Sequence, residues 1–195
     1  MSPEGLPDFG RIVRSQIAKT FRAQGVASSH SAGEGLEPLE VLACADCPAP
    51  GVVSYATVGL AKDPVHHEGK ATEIRLELLT AAYARYPNVA AALASAAFRI
   101  SQDRWFCAAG IVFPDVMELY EISSTLTDFY FSPPFLWTER PTTVETSGLS
   151  LGWLLAVPIA RSESVYAVAH GPLELERRLE DSGVDVFDWS RPAVI

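Results

Sequence analysis

A continuous apolar run is the strongest pattern in the chain. Residues 151–160 are all hydrophobic except Gly152 and Pro158. The run has about the length of one strand and no polar alternation, which is typical of a strand buried on both faces. Pro158 disfavours a helix, because proline has no N–H and keeps the preceding residue extended. We therefore predict a central strand, the most buried one of the fold, which contains Leu154 and Val157.

Four helices are predicted around this strand. Residues 161–170 are helical in composition and are followed by Gly171, and Pro172 suits the first position of the next helix, which ends near Gly183. The other two helices are expected earlier in the chain, over residues 9–24 and 87–102.

The helix at residues 9–24 has the clearest periodicity. Its apolar side chains recur every three or four positions, and its basic and polar side chains lie between them. Asp8 is the expected N-cap and Gly25 the expected stop. In the helix at 87–102, Pro87 fits the first helical position.

Several shorter segments predict strands. Segments 39–43, 51–61, 71–79 and 127–132 are rich in β-branched or alternating apolar residues, and 116–122 fits either a strand or a helix. A polar turn joins the segments 51–61 and 71–79, which predicts a hairpin. In the second of these, the apolar residues expected to face the core are Ile74, Leu76 and Leu78. The charged residues expected to form a solvated face are Glu73, Arg75 and Glu77.

Polar segments predict the loops. Residues 26–37 are rich in Ser, Gly and Ala, residues 62–70 fit an exposed turn, and residues 139–148 form a second polar loop. Because they have little apolar surface to bury, segments 26–37 and 66–70 are expected to be the most mobile.

Composition narrows the class of protein. The 195 residues are 48% hydrophobic and carry a formal net charge of −9, which fits a single domain spanning 1–195 with a sizeable core. This charge, with a pI near 4.9, disfavours a nucleic-acid or anionic-membrane surface and permits a basic partner. The N-terminus lacks the pattern of a signal peptide, and no apolar run is long enough to span a membrane. Three cysteines without a secretory signal predict reduced thiols and a cytoplasmic location.

The chain contains one CxxC motif, Cys44 to Cys47, about twenty residues before His66 and His67. A structural zinc site needs four ligands, usually from two paired turns, and only one cysteine pair is present. A redox CxxC belongs at the start of a helix, whereas Pro48 indicates a loop. We therefore predict no bound metal and no cofactor.

Catalytic motifs are absent from the sequence, so an enzyme would have to use Cys107 or His170. Cys107 lies among apolar residues, which predicts a buried, unreactive thiol. A non-catalytic protein is the favoured interpretation, and a structural subunit of a homo-oligomer is a further alternative.

An aromatic segment surrounds the Pro133-Pro134 break, and it fits either the core or a patch that binds a partner. The partner-binding hypothesis names four residues, which are Phe131, Phe135, Trp137 and Glu139.

The order of several short motifs resembles the Suppressor of fused family over residues 39–194. In chain order, these motifs are Tyr55-Ala56-Thr57-Val58-Gly59-Leu60, Glu73-Ile74-Arg75-Leu76, Leu93-Ala94, Cys107 to Gly110, Val157-Pro158-Ile159 with Glu163, Gly171 with Leu175, and Asp188 with Arg191-Pro192. One position departs from the family pattern: Ala160 replaces a helix-capping threonine. The helix start should therefore be weaker by about 1 kcal/mol, or Ser162 should provide the cap.

This resemblance implies a fold and a function. It implies a mixed α/β (α+β) domain, in which helices flank a central mixed or antiparallel sheet, with no enzyme activity and no cofactor. Animal members bind a transcription-factor peptide and have a second domain for which this chain is too short. The bacterial members imply an immunity or antitoxin-like protein, which here would cover a basic toxin partner.

Overall fold

The predicted central strand lies in the middle of a large sheet. The computed structural model describes residues 7–33 and 37–195. The strands are β1 Val26–His30, β2 Leu39–Ala45, β3 Val52–Val58, β4 His66–His67, β5 Lys70–Ala71, β6 Ile74–Tyr83, β7 Val112–Phe113, β8 Leu126–Ser132, β9 Val144–Thr146 and β10 Leu149–Ala160. The α-helices are α1 Phe9–Phe21, α2 Val89–Ser101, α3 Arg161–His170 and α4 Pro172–Asp181. Short 3₁₀ helices occupy Leu60–Lys62 and Glu118–Tyr120.

The strands of the main sheet lie in the order β1-β2-β3-β6-β10-β8-β7, and β9 also pairs with β10. The β6–β10 pair is parallel and the remaining pairs are antiparallel. The predicted pairing of β3 with β6 is therefore correct, and β4 and β5 form a small hairpin in the connection between them. The prediction of a mixed sheet flanked by helices is confirmed.

Strand β10 is covered on both faces. Leu154 and Ala156 pack with α2, whereas Leu155 and Val157 pack with α1 and α4 on the opposite face. Leu154 and Val157 are both buried, as predicted. Because successive side chains of a strand point to opposite faces, an unbroken apolar run is what a strand between two layers requires.

Helix boundaries differ from two of the predictions. Asp8 caps α1, and its Oδ1 accepts a bond from the N–H of Arg11 at 3.0 Å. The helix ends at left-handed Arg22 rather than at Gly25. A Cβ at Gly25 would lie 2.9 Å from the carbonyl oxygen of Ala43, so this glycine permits close approach to β2. Helix α2 likewise begins after left-handed Asn88, two residues later than predicted.

Three of the loop and strand predictions were wrong in part. Residues 26–30 form an edge strand, β1, because a polar segment needs only the ladder of β2 to become a strand. Residues 34–36 of that predicted loop lie outside the described residues. Residues 116–122 contain only a 3₁₀ turn, and residues 139–148 contain β9.

The predicted two-sided character of β6 was also wrong. Leu76 and Leu78 are buried as expected, but Ile74 is 46% exposed, and Arg75 and Glu77 are buried. Strand β6 lies between β3 and β10, where both faces of the sheet are covered. The alternation of charged and apolar residues therefore reflects two faces that are both buried but differ in polarity, and neither face is exposed to solvent.

Glu77 is held in this buried position by three hydrogen bonds. The hydroxyl of Thr57 donates to its Oε2 at 2.6 Å. The N–H groups of Gly59 and Ala61 donate to Oε1 at 2.9 and 3.1 Å. Burial raises the pKa of Glu77 to about 7, although the hydrogen bonds act to lower it. The carboxyl group thus fixes the turn that follows β3.

A second buried carboxylate joins β10 to the C-terminal segment. Arg191 donates to both oxygens of Glu163, at 2.8 and 2.9 Å. The N–H groups of Ala160 and Val194 also donate to Glu163, at 2.8 and 3.0 Å. Alanine has no side-chain acceptor, so only the Glu163 half of a capping box forms, and α3 begins at Arg161 rather than after Ser162.

Among the described residues, no helix combines the length and the apolar character that crossing a membrane requires.

We expect Glu77 to make the stability of the protein depend on pH. Its pKa is about 4.5 when unfolded and about 7 when folded, so the folded protein binds the proton more tightly. The stabilisation is complete below pH 4.5 and is lost as the pH rises through 7. Denaturant unfolding at pH 5 and pH 8 should show that E77Q removes about 2–3 kcal/mol of this pH dependence.

The matched control is E73Q, which changes an exposed carboxylate immediately before the same strand. It should leave the pH dependence of the unfolding free energy as it is in the unaltered protein. Equal pH dependence in E77Q and E73Q would contradict the role given to Glu77.

Candidate functional site

An apolar concavity lies between the end of β8 and helix α4. We call it the docking groove. It has a volume of about 520 Å³. Among the residues that line it, Tyr130, Val157 and Leu179 are buried and belong to the core on the α1 and α4 face. The remaining lining residues are Ser132, Pro133, Pro134, Phe135, Arg140, Glu176, Glu180, Gly183, Val184 and Val186.

Trp137 fixes the loop on one side of the groove. Its ring packs on Phe21 of α1 with centroids 5.3 Å apart, and its Nε1 donates to Oγ of Ser54 at 2.9 Å. The Ser54 hydroxyl in turn donates to the carbonyl oxygen of Cys47 at 2.7 Å. Proline at 133 and 134 ends β8 because it cannot donate to the ladder. The chain therefore turns out of the sheet and back, which leaves Phe135 48% exposed at the groove.

Helix α4 forms the other side of the groove. Leu175 and Leu179 face the core, and Glu176 and Glu180 lie beside the opening. The hydroxyl of Tyr130 donates to Oε1 of Glu176 at 2.6 Å. Burial, together with this hydrogen bond, raises the pKa of Tyr130. This contact ties α4 directly to strand β8.

The predicted partner-binding residues do not share one surface. Phe131 is fully buried on the α2 face, where its ring packs on that of Phe113 with centroids 4.8 Å apart. Trp137 is buried on the opposite face. Phe135 is exposed at the groove, and Glu139 is exposed and lies 3.6 Å from Arg22. Since adjacent residues of β8 point to opposite faces, Tyr130 rather than Phe131 lines the groove.

Sequence reasoning missed the α4 contribution. The pattern of residues 172–181 shows that Leu175 and Leu179 share a face with Glu176 and Glu180 beside them. It does not show that this face closes on the end of β8, because the contacting residues Tyr130 and Glu176 are 46 positions apart in sequence.

The two residues considered for catalysis lie in different environments. Cys107 is buried in the core on the α2 face, and burial raises the pKa of its thiol well above the ordinary value. His170 is exposed at the end of α3, where its ring lies 4.2 Å from that of Tyr166. A buried neutral thiol is a poor nucleophile, so this arrangement does not favour chemistry through Cys107.

The CxxC cysteines occupy the end of β2 and the turn after it. Both are buried, and burial and the neighbouring Cys47 raise the pKa of Cys44. His67 instead packs against Phe106, with ring centroids 4.7 Å apart. In the part of the chain that the structure describes, no group of three or more His, Cys, Asp or Glu side chains is arranged to hold a metal ion.

Comparison with known proteins gives consistent results. The model of the Suppressor of fused protein (SUFU) family matches residues 35–192. The chain is 32% identical to Immunity protein YqcF of Bacillus subtilis (strain 168) over 191 residues, which cover 98% of this chain and 100% of the relative.

Solved structures show the same fold. A SUFU homolog from Neisseria gonorrhoeae FA 1090 superposes with a TM-score of 0.70 at 17% identity, covering 96% of this chain and 97% of the homolog. A chain of the Sufu–Fu complex superposes with a TM-score of 0.65 at 13% identity, covering 96% of this chain and 90% of that one. Drosophila Suppressor of fused gives 0.66 at 14% identity, and the whole of this chain spans 54% of it.

We expect all three thiols to be unreactive in the folded protein. Cys44, Cys47 and Cys107 are buried, and a thiol must be accessible and deprotonated to react. Labelling with a thiol reagent should therefore require denaturant. The introduced thiol of S162C, at an exposed position on α3, should react at once and serves as the control. Rapid labelling of the native protein that is lost in C107S would revive the enzyme hypothesis.

Proposed function

The chain belongs to the Suppressor of fused family, and from this premise we propose that it is a non-enzymatic, immunity-like protein that binds a basic toxin partner. The partner docks in the groove between β8 and α4, in the cytoplasm where the thiols stay reduced.

The composition of the docking groove carries this proposal. Its lining is mainly apolar, and two carboxylates, Glu176 and Glu180, stand beside it. Apolar residues at the centre of an interface supply most of its binding energy. Charged residues near the edge speed association with a partner of opposite charge, and the net charge of −9 acts in the same direction.

The relatives support the two parts of this proposal separately. The Bacillus relative has the same extent as this chain and is named an immunity protein. A protein of the same fold is found in the Sufu–Fu complex. The basic character of the partner and the absence of catalysis are inferred from this chain, from its acidic balance and from the buried state of Cys107.

The four residues first named for partner binding divide into three roles. Phe135 and Glu139 are exposed and contact the partner. Trp137 acts indirectly, because its contacts with Phe21 and Ser54 hold the loop that presents Phe135. Phe131 packs in the core beneath the opposite face and contributes to the stability of β8.

We expect capture from the native host to recover a basic toxin. The tagged protein should retain it at low salt and release most of it at high salt, because salt screens exposed charges. F135A and E180K should each weaken retention, whereas E73K, which places the same charge on an exposed position away from the groove, should not.

Co-expression tests whether the captured partner is relevant. The protein should restore the growth of cells that express the toxin, and E180K should restore it less than E73K does. A partner that is not a toxin, or capture that is insensitive to salt, would contradict the electrostatic immunity model.

A further inference from the structure

We propose that the docking groove recognises an extended partner segment with three features: one large apolar side chain in the groove, a basic side chain at Glu176 and Glu180, and an acidic side chain at Arg140. The proposal rests on the proposed function, because it specifies the part of the partner that enters the same groove.

The unpaired carboxylates of α4 indicate that the partner supplies a basic side chain. Glu174 and Asp181 of this helix pair with Arg177, at 2.5 and 2.8 Å. Glu176 and Glu180, one turn apart on the groove side, have no cationic side chain within 4.0 Å in the described part of the chain. Like charges spaced four residues apart on a helix repel each other, so a bound lysine or arginine would relieve this repulsion.

Tyr130 orients one of these carboxylates. Its hydroxyl occupies Oε1 of Glu176 at 2.6 Å and leaves Oε2 as an acceptor. The charge-assisted hydrogen bond from a partner cation would therefore form at an oxygen that is already positioned. Glu180 is exposed, lines the same groove one helical turn further along α4, and supplies a second acceptor.

Arg140 indicates that the partner supplies an acidic side chain. It lines the same groove, and no carboxylate of residues 7–33 and 37–195 lies within 4.0 Å of its guanidinium. The adjacent Glu139 instead approaches Arg22. Arg140 also fails to pair with Glu176 or Glu180, so its guanidinium lies more than 4.0 Å from either carboxylate. Guanidinium groups bind carboxylates through two parallel hydrogen bonds, which suits an aspartate or glutamate of the partner.

The rest of the groove is mainly apolar. Val157 and Leu179 form its buried floor, and Phe135, Val184 and Val186 border it. A volume of about 520 Å³ is within the range of sites that hold small ligands, and it accommodates one aromatic or large aliphatic side chain with its backbone. The half-exposed ring of Phe135 would lose its contact with water when the segment binds.

Short peptides test this specificity without the toxin. The probe is an acetylated and amidated five-residue peptide with lysine, phenylalanine and aspartate at positions one, three and five, separated by glycines. Its binding is measured by NMR titration. Shift changes should appear at Tyr130, Val184 and Val186, and replacing phenylalanine by alanine should weaken binding by roughly tenfold or more.

A charge swap provides the decisive comparison. Replacing the lysine of the peptide by glutamate should abolish binding to the unaltered protein and restore it to E180K. The matched variant E73K should bind only the original peptide. NMR spectra of the free variants establish that both are folded, as expected for exposed positions.

Equal binding of the phenylalanine and alanine peptides, shift changes outside the groove, no binding of any peptide, or no recovery in E180K would each overturn the proposed segment. These failures are distinct from failure of the proposed function. If F135A and E180K still weaken capture of the toxin while the peptides fail to bind, the immunity proposal stands and the proposed chemistry of the segment is wrong.

Discussion

The structure depends on burying strand β10 on both faces. A strand without a polar face is stable only between two apolar layers, so the chain must supply a helix layer on each side of the sheet. Helix α2 provides one layer, and α1 with α4 provides the other. The Glu163–Arg191 ion pair closes the end of β10, because it joins the start of α3 to the C-terminal segment in a place that excludes water. Loss of either partner would leave an uncompensated buried charge, which is strongly destabilising.

The same constraint creates the docking groove. Val157 of β10 and Tyr130 of β8 face the α1 and α4 layer, and α4 covers them only in part. The proline pair at 133 and 134 turns the chain away before the sheet is fully covered. The groove is therefore an edge of the hydrophobic core that remains open, with carboxylates from the adjacent helix at its border. Such a surface fits the proposed role in binding another protein.

Much of the fold was predictable from local patterns, and the exceptions have identifiable physical causes. The unbroken apolar run of β10 and the helical periodicity of α1 each predict, from local sequence alone, which side chains are buried. Glu77 was assigned to solvent because alternation shows that two faces differ but not that one is wet. Strand β1 was assigned to a loop because an edge strand such as VASSH is stabilised by pairing with β2, which its composition does not reveal. Of the groove, the sequence indicated only Phe135. Phe135 and Glu180 line one concavity because α4 packs beside β8, where Tyr130 bonds to Glu176, and local sequence carries no signal for that contact.

Hydrogen-exchange mass spectrometry of the protein with and without its captured partner tests the groove as the binding surface most directly. Binding should slow exchange in peptides that cover residues 132–140 and 172–186, because these segments border the groove. Helix α2, on the opposite face of the sheet, should exchange at an unchanged rate and provides the internal reference. Protection of α2 with no change at residues 132–140 and 172–186 would show that the partner binds elsewhere.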